Sequence, residues 1–285
     1  MINILVTGSN GQLAKCIKDV QSNYSDLNFI YRNSIELDIT DFTAVQYFIN
    51  QENIQFCINC AAYTAVDKAE IEQEKATQVN SIGAKNLAIA CSEKNTTLIH
   101  VSTDFVFNGK KSVAYTETDP TSPTGVYGIT KLDGELEVAK NLEQHFILRT
   151  SWLYSEHGNN FMKTMIKLSE GRDQLSIVAD QIGTPTYATD LAKAIINIIT
   201  TNNKDYGIYH YSNEGVASWY DFAKAIFDEK NINIKVFPIP SESYPTPAKR
   251  PHFSVLDKTK IKTNLQIEIP YWRDSLKKAL SNSYE

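Results

Sequence analysis

Near the start of the chain stands the sequence Ile2-Asn3-Ile4-Leu5-Val6-Thr7-Gly8-Ser9-Asn10-Gly11-Gln12-Leu13-Ala14. Its first six residues predict a strand, and the spacing of Leu13, Ile17 and Val20 predicts a helix with one apolar face. Gly8 permits the tight turn between them, and Gly11 lets backbone N–H groups at the helix N-terminus approach a pyrophosphate. Because these glycines lie between a predicted strand and a predicted helix, we interpret them as a dinucleotide-binding loop. A plain structural turn is the alternative.

The first 150 residues alternate short apolar runs with segments of helical period. Strands that are apolar on both sides and alternate with helices indicate a parallel sheet covered on both faces. The sequence therefore predicts an α/β fold with a doubly wound, Rossmann-type parallel sheet, whose ligands lie at the carboxyl ends of the strands. The predicted strands are Ile2–Thr7, Leu27–Tyr31, Ile54–Ala61, Thr97–Ser102 and Phe146–Ser151, and the predicted helices lie near 11–23, 41–52, 80–94 and 127–142.

Beyond residue 150 the predicted elements become shorter and are interrupted by glycines and prolines. Thr189–Thr200 is predicted to be a helix that packs back on the sheet, because its apolar residues follow a helical period. Trp219–Glu229 is predicted to be a helix of a smaller C-terminal lobe. We therefore expect a dinucleotide-binding domain made of 1–150 plus about 186–205, and a substrate-binding lobe made of about 151–185 and 206–285.

Composition and charge narrow the class of protein. The 285 residues are 42% hydrophobic and 21% charged, as is usual for a soluble globular protein. No apolar run approaches the roughly 20 residues that cross a bilayer. A strand that starts at Ile2 leaves no room for a secretory signal, so we expect a cytoplasmic location. The formal net charge of −5, with no cluster of Lys or Arg, argues against nucleic acid as the main partner.

The four cysteines do not predict a metal site. Cys57 and Cys60 have the C-x-x-C spacing of redox and zinc sites, but they lie in an apolar run that predicts a buried strand. Residues three apart on a strand point to opposite faces, so the two sulfur atoms are not expected to meet. No second Cys or His pair completes a zinc site, and we interpret the cysteines as core thiols.

The end of the second predicted strand bears on the choice of cofactor. Arg32 stands there in place of the acidic residue that would hold an adenosine ribose 2′-hydroxyl. A cation suits a 2′-phosphate, which favours NADPH over NADH, although a solvated Arg is the alternative. Asp38 follows soon afterwards and offers a second contact for the adenosine end.

Tyr127 and Lys131 are four residues apart in a predicted helix, which places them on the same helix face. A neighbouring ammonium stabilises a phenolate, so we expect Lys131 to lower the pKa of Tyr127 and make it fit for proton transfer. Lys131 can also bond the nicotinamide ribose. Thr103 ends the fourth predicted strand, where ligands bind in this fold, and its hydroxyl could bond a substrate oxygen beside Tyr127.

These motifs resemble the extended short-chain dehydrogenase/reductase superfamily, and within it the dTDP-4-dehydrorhamnose reductase family. The resemblance extends from residue 1 to about 262, and its most specific stretches are Ala65-Val66-Asp67-Lys68-Ala69-Glu70 and Asp180-Gln181-Ile182-Gly183-Thr184-Pro185-Thr186. The other matching stretches are Gly8–Leu13, Asn59–Thr64, Ser102–Phe107, Tyr127–Lys131, Arg149–Tyr154, Gly207–Ser212, Ser218–Ala223 and Arg250-Pro251.

The resemblance implies reduction of the C4 keto group of dTDP-4-dehydro-β-L-rhamnose to dTDP-β-L-rhamnose by NADPH or NADH. It implies that Tyr127 is the proton donor, that Lys131 tunes it and holds the ribose, and that Thr103 aligns the sugar. It implies cofactor contacts from Gly11, Gln12, Leu13, Asp38, Ile39, Ala62, Tyr63 and Thr64, and substrate contacts from Thr103, Asp104 and Trp152. The full predicted cofactor site adds Gly8, Asn10, Arg32, Tyr127 and Lys131.

Several further expectations accompany this assignment. Arg250 is a candidate for the nucleotide diphosphate, with a structural salt bridge as its alternative. Trp152 has a core position as its alternative, and His100 is expected to be a core histidine. The family suggests a homodimer and an Mg²⁺ requirement, but no metal ligands can be assigned.

The sequence departs from the family pattern at two positions. Ala14 replaces a third glycine, and Phe105 stands where the family usually has Tyr. A nucleotide-sugar dehydratase or epimerase is an alternative, but a dehydratase needs a further carboxylate where Phe105 stands, so that version is rejected. A non-catalytic regulatory subunit on the same fold, like the β subunit of methionine adenosyltransferase, is another. A reductase of a related 4-keto-6-deoxy sugar nucleotide also stays open.

Overall fold

A parallel sheet of six strands forms the centre of the computed structural model, which describes residues 1–282. Along the chain the strands are β1 Ile2–Thr7, β2 Leu27–Arg32, β3 Phe56–Asn59, β4 Thr97–Thr103, β5 His145–Thr150, β6 Leu153–Tyr154, β7 Gln174–Val178, β8 Ile182–Gly183, β9 Thr186–Tyr187, β10 Gly207–His210, β11 Ala217–Ser218 and β12 Lys235–Ile239. The α-helices are α1 Gln12–Val20, α2 Phe42–Gln51, α3 Val66–Ala69, α4 Gln73–Thr77, α5 Gly83–Lys94, α6 Val126–Asn141, α7 Phe161–Ser169, α8 Ala188–Thr200, α9 Trp219–Glu229, α10 Thr259–Asn264 and α11 Trp272–Asn282.

The order of the central strands is β10-β5-β4-β3-β1-β2, and every neighbouring pair is parallel. Successive strands are added in opposite directions from β1, because β2 lies on one side of β1 while β3, β4, β5 and β10 lie on the other. The order of the strands therefore reverses between β1 and β3. In a doubly wound sheet the crevice outside the carboxyl ends at this point binds the ligand. The predicted α/β, Rossmann-type fold is confirmed, and the sheet edge near β1 and β3 is where a site is expected.

Apolar side chains cover both faces of the sheet, which explains why its strands are apolar throughout. One face packs against α1 and α8, where Leu13, Ile17 and Ile195 are fully or almost fully buried. The other face packs against α2, α5 and α6, with Val45 and Leu87 in its core. The helix predicted to pack back on the sheet does so as α8.

The smaller lobe has an apolar core of its own, centred on the buried rings of Tyr154, Phe222 and Trp272. Helices α7, α9 and α11 enclose it, together with the short strand pairs β6–β9, β7–β12 and β8–β11. Its α9 starts with a capping box in which Ser218 and Asp221 bond each other's backbone N–H groups. The lobe therefore has a buried aromatic core separate from the core of the sheet.

The predicted assignment of all of 206–285 to the smaller lobe differs from the structure at two elements. Strand β10 pairs with β5 and becomes the edge of the central sheet. Helix α10 contributes Ile261 to the core of the sheet, and Leu265 and Ile267 follow it there. The short β10 has no clear alternation of its own. It forms because β5 otherwise exposes unpaired N–H and C=O groups.

Within residues 1–282 the structure contains no helix that is both long and apolar enough to cross a membrane. All four cysteines are free, and Cys16, Cys57 and Cys91 are buried while Cys60 is half-buried. The interpretation of the cysteines as core thiols is therefore confirmed for three of the four.

Candidate functional site

A cleft of about 420 Å³ opens at the carboxyl ends of β1, β3, β4 and β5, where the sheet meets the smaller lobe. Its volume lies in the range of roughly 300–1,000 Å³ that is usual for small-molecule sites. The sequence-predicted residues that line it are Asn10, Gly11, Gln12, Leu13, Ala62, Thr64, Thr103, Asp104, Tyr127, Lys131 and Trp152. The structure therefore brings the glycine loop, the Tyr–Lys pair and most predicted substrate contacts into one cleft.

The glycine loop forms the floor of the cleft, and Gly8 is required there by its backbone. Its φ of +63° is left-handed, and a Cβ atom would lie 2.6 Å from the backbone of Ala61. The Gly11 N–H donates to the Gly8 carbonyl at 2.9 Å, and α1 begins at the next residue. The helix N-terminus thus faces the cleft with free N–H groups, an arrangement that suits a pyrophosphate.

Gln12 joins the glycine loop to the smaller lobe. Its Nε2 donates to the Leu153 carbonyl at 3.2 Å, and its Oε1 accepts from the Ser155 hydroxyl at 3.3 Å. These contacts span more than 140 residues of chain. The two walls of the cleft are therefore held together next to the phosphate-binding turn.

A close approach of α6 to the segment after β4 positions Tyr127 against Thr103. A Cβ at Gly128 would lie 2.3 Å from the Phe105 carbonyl oxygen, so only glycine allows this approach. The Phe105 ring packs edge-on against the Tyr127 ring, with centroids 5.5 Å apart. The Thr103 hydroxyl interacts with the Tyr127 hydroxyl and lowers its pKa. A carbonyl oxygen that binds here meets both hydroxyl groups.

The pKa of Tyr127 differs from the sequence prediction. Burial raises it to about 12, and the charge of Asp104 acts in the same direction. Burial has this effect because a phenolate would lose its hydration inside the cleft. Burial also lowers the pKa of Lys131 to about 8. The shift is therefore opposite to the lowered pKa expected from the sequence, and the Tyr127 hydroxyl is protonated at neutral pH.

Asp104 presents an acceptor beside these groups. Its side chain is 1% exposed, Oδ1 accepts from the Thr103 hydroxyl at 3.1 Å, and Oδ2 has no hydrogen-bond partner among the described residues. Burial raises its pKa to about 6, while the Ser254 and Thr103 hydroxyls oppose the rise.

Trp152 forms the lobe side of the cleft, on a strained backbone with φ +47°. Its ring stacks on Trp219 at 3.6 Å between centroids, with 8° between the planes. A Cβ at Gly183 would lie 2.7 Å from the indole, so glycine is needed behind the ring. Trp152 is half-buried and lines the cleft, so it is not simply a core residue.

Six predicted site residues lie outside the lining of the cleft: Gly8, Arg32, Asp38, Ile39, Tyr63 and Arg250. The guanidinium of Arg32 lies over the Phe48 ring at 4.8 Å and donates to the Tyr31 carbonyl at 2.9 Å. Asp38 is exposed and accepts from the N–H and hydroxyl of Thr40. These two residues lie beyond the cleft on the β2 side.

The other three side chains outside the cleft have structural partners. Ile39 is buried in the core of the sheet. Tyr63 exchanges two hydrogen bonds between its backbone and the Asn80 side chain. Arg250 makes a two-point ion pair with Asp67, at 3.0 and 2.8 Å, so the structural alternative for Arg250 is observed. Its contact with a substrate remains a prediction.

Several lining residues were missed from the sequence: Cys60, Val66, Val101, Ser102, Phe105, Thr150, Ser151, Leu153, Gly158 and Asn159. Thr150 ends β5 and Ser151 follows it, and both could have been found by the same argument as Thr103, since they are polar residues at a strand end. No local signal marks Gly158 and Asn159, because they reach the cleft only through the folding of the lobe.

The described residues include one group of at least three potential metal ligands, and this group does not suit Mg²⁺. Its members, Cys16, Asp19 and His157, lie within 4.8 Å of one another but outside the cleft. Mg²⁺ prefers octahedral oxygen ligands, whereas this group offers a thiol, an imidazole and a single carboxylate. The His157 Nε2 is 2.5 Å from Asp19 Oδ2, so the two side chains already pair with each other.

Comparison with known proteins identifies the family of this chain. The family model described as the RmlD substrate binding domain matches residues 2–285. The chain belongs to the RmlD family. A relative from Aggregatibacter actinomycetemcomitans, named dTDP-4-dehydrorhamnose reductase, is 43% identical over 97% of this chain and 98% of its own length. The resemblance inferred from the motifs is confirmed.

Solved structures of RmlD-family proteins agree with the fold over nearly the whole chain. A dTDP-4-dehydrorhamnose reductase from Clostridium acetobutylicum is 41% identical, covers 100% of both chains and has a TM-score of 0.96. The reductase of that name from Bacillus anthracis, solved in complex with NADP, is 38% identical, covers 99% of this chain and 100% of its own, and has a TM-score of 0.95. The RmlD-family chain described here therefore has the architecture of a nicotinamide-dependent oxidoreductase.

Proposed function

We propose that this protein reduces the C4 keto group of dTDP-4-dehydro-β-L-rhamnose to dTDP-β-L-rhamnose with NADPH or NADH. The relatives of similar length are named for this reaction, and one was solved with NADP. The observation in this chain that carries the proposal is that Thr103, Tyr127 and Lys131 line one cleft with the glycine loop. The free N–H groups of α1 fit the dinucleotide pyrophosphate.

The nicotinamide, when bound, supplies the hydride that adds to C4. Tyr127 supplies the proton to the keto oxygen, and its raised pKa of about 12 keeps the hydroxyl protonated until negative charge develops on that oxygen. Lys131, with a pKa of about 8, is mainly cationic at neutral pH and stabilises the phenolate that remains. The Thr103 hydroxyl aligns the keto oxygen beside Tyr127.

The same geometry indicates which side chains contact the substrate. Asp104 lines the cleft, and its carboxylate is the proposed acceptor for a hydroxyl of the sugar. The flat face formed by Trp152 and its stacking partner Trp219 excludes water and packs against the sugar ring. The local donors at the glycine loop and at Lys131 offset the net charge of −5, since both proposed ligands are anions.

The decisive experiment supplies the dTDP-4-keto sugar with NADPH or NADH and follows loss of the reduced nicotinamide absorbance. Turnover is expected with at least one cofactor. Binding of the dinucleotide without turnover would instead support the non-catalytic regulatory subunit. Parallel assays with the UDP analogue and with a related 4-keto-6-deoxy sugar test the substrate, because a better kcat/KM for either would change its identity.

Arg32→Ala tests the preference for NADPH that we propose. Removal of the cation at the end of β2 should raise KM for NADPH by about tenfold and leave KM for NADH nearly unchanged, because a phosphate contact contributes on the order of 1.5–3 kcal/mol when charge-assisted. Lys18→Ala is the matched control, since Lys18 is an exposed cation on the neighbouring α1. Equal changes in the two KM values would show that Arg32 does not discriminate the cofactors.

Gly128→Ala tests the close approach that positions Tyr127. The new Cβ would displace α6 from the Phe105 carbonyl, so kcat should fall by roughly 10², the loss that a misplacement of about 1 Å can cause. Ile129→Ala, at an exposed position on the same helix, should leave kcat within about twofold. A G128A enzyme with normal kcat would show that Tyr127 tolerates movement of its helix.

The proposal contains no step that depends on Mg²⁺. We also propose that the protein is a homodimer located in the cytoplasm. Sedimentation of the purified protein and cell fractionation would test them.

A further inference from the structure

Behind Lys131 lies a row of buried polar side chains that the proposed reaction does not use. Thr7, Asn59 and His100 occupy paired positions on β1, β3 and β4. All three are at most 1% exposed, and Lys131 is 2% exposed. Polar groups this deeply buried need defined hydrogen bonds, so the direction of each bond in the row can be worked out.

The orientation of the Asn59 amide is set by a backbone donor. The Ala61 N–H, which can only donate, lies 3.1 Å from Asn59 Oδ1, and the Thr7 hydroxyl donates to the same atom at 2.7 Å. The Nδ2 atom of Asn59 therefore faces His100, 3.0 Å from its Nδ1. Because Nδ2 donates, His100 Nδ1 accepts and carries no hydrogen.

The hydrogen of neutral His100 is consequently on Nε2, which lies 3.5 Å from Lys131 Nζ. Burial and the charge of Lys131 both lower the pKa of His100, so the ring stays neutral. An N–H cannot accept from an ammonium. On this side, the acceptor that Lys131 uses is the Val101 carbonyl, at 2.6 Å. The remaining N–H bonds of Lys131 are therefore left to face the cleft.

We propose that His100, held by Asn59 as the Nε2–H tautomer, is a positioning residue that directs the Lys131 ammonium toward the cleft and makes its proton easier to lose. The consequence for turnover rests on the proposed function, because it assumes that Lys131 supports Tyr127 and the ribose. Two other titratable groups act on Lys131: Glu135 on α6 and Cys60 after β3. The Glu135 carboxylate favours the charged form of Lys131 and is itself bonded by Arg149, whereas burial raises the pKa of the Cys60 thiol and keeps it uncharged.

Two variants test the effect of the His100 N–H separately from the effect of side-chain size. His100→Asn keeps an acceptor near Asn59 but removes the donor that faces Lys131, whereas His100→Gln reaches Lys131 with an N–H. In H100N the alkaline limb of the pH profile of kcat/KM should move up by about half a pH unit, or threefold in the ionisation constant. In H100Q the alkaline limb should stay within about 0.2 pH unit of its wild-type position. The same is expected of the control Thr7→Val, in which the Ala61 N–H still donates to Asn59 Oδ1.

The tautomer itself can be observed without turnover. Nitrogen NMR of histidine-labelled wild-type protein should show a hydrogen on Nε2 of His100 and none on Nδ1, and the opposite assignment would overturn the proposal. Equal movement of the alkaline limb in H100N and H100Q, or no movement in H100N, would also overturn it and leave His100 a packing residue. If the wild type has no turnover, the proposed function fails, while the tautomer and an NMR titration of Lys131 still decide this inference.

Discussion

Tyr127→Phe should lower kcat by about 10²–10⁴ while the Kd for the dinucleotide changes by less than about threefold, because general acid catalysis contributes on that scale and the ring is retained. The hydroxyl that is removed is the proposed proton donor, and its raised pKa keeps it protonated at neutral pH beside Thr103. Steady-state rates and dinucleotide binding, measured on the same preparation, give both quantities.

Two controls make this result specific. Tyr47→Phe removes the hydroxyl of an exposed tyrosine on α2 and should leave both quantities unchanged. Unfolding of the Y127F protein by urea should resemble that of wild type, because the ring still packs against Phe105. A Y127F enzyme that retains most of the wild-type rate would mean that another group or water donates the proton.

Arg149→Met should lower the free energy of unfolding by about 3–5 kcal/mol, the usual cost of removing one partner of a buried ion pair. Arg149 and Glu135 are 2% and 1% exposed, and three hydrogen bonds of 2.7–3.1 Å join them across β5 and α6. The Ser102 hydroxyl also donates to Glu135. In R149M the buried carboxylate of Glu135 loses its ion-pair partner. Only the Ser102 hydroxyl and the Lys131 ammonium remain to compensate its charge.

Urea unfolding at neutral pH measures this loss. Lys224→Ala breaks an exposed ion pair with Asp228 on α9 and should cost at most about 0.5 kcal/mol. The double variant Glu135→Met with Arg149→Met should be more stable than R149M alone, because apolar replacement of both partners removes the unpaired charge. A loss below about 1 kcal/mol in R149M would show that the Glu135 carboxylate finds other partners or takes up a proton.

Much of the site was predictable because its signals are local. The strand–glycine–helix order near Gly8 and the four-residue spacing of Tyr127 and Lys131 each involve only one or two consecutive elements. Periodicity records such short-range geometry directly. The position of Thr103 followed from one further rule, that ligands bind at the carboxyl ends of parallel strands.

The features that local patterns do not settle depend on contacts between distant parts of the chain. The ion pair of Arg250 with Asp67 spans 183 residues, and the stack of Trp152 on Trp219 joins two elements of the lobe. The pKa of Tyr127 depends on how many atoms surround it, which spacing along a helix does not report. Strand β10 forms because a partner edge is available.

By itself, the sequence determined the fold class and predicted the dinucleotide loop and the Tyr127–Lys131 pair, because these follow from the hydrophobic period and from residue chemistry at fixed spacing. Only the tertiary structure decided the burial of Tyr127 and Lys131, the hydrogen-bond partners of the Asn59 amide, and the addition of β10 to the central sheet. These properties arise from burial and from hydrogen bonds between strands that are adjacent in space and far apart in the chain. For the opening stretch, the sequence predicted what Gly8 and Gly11 do, and the structure showed which walls of the cleft surround them.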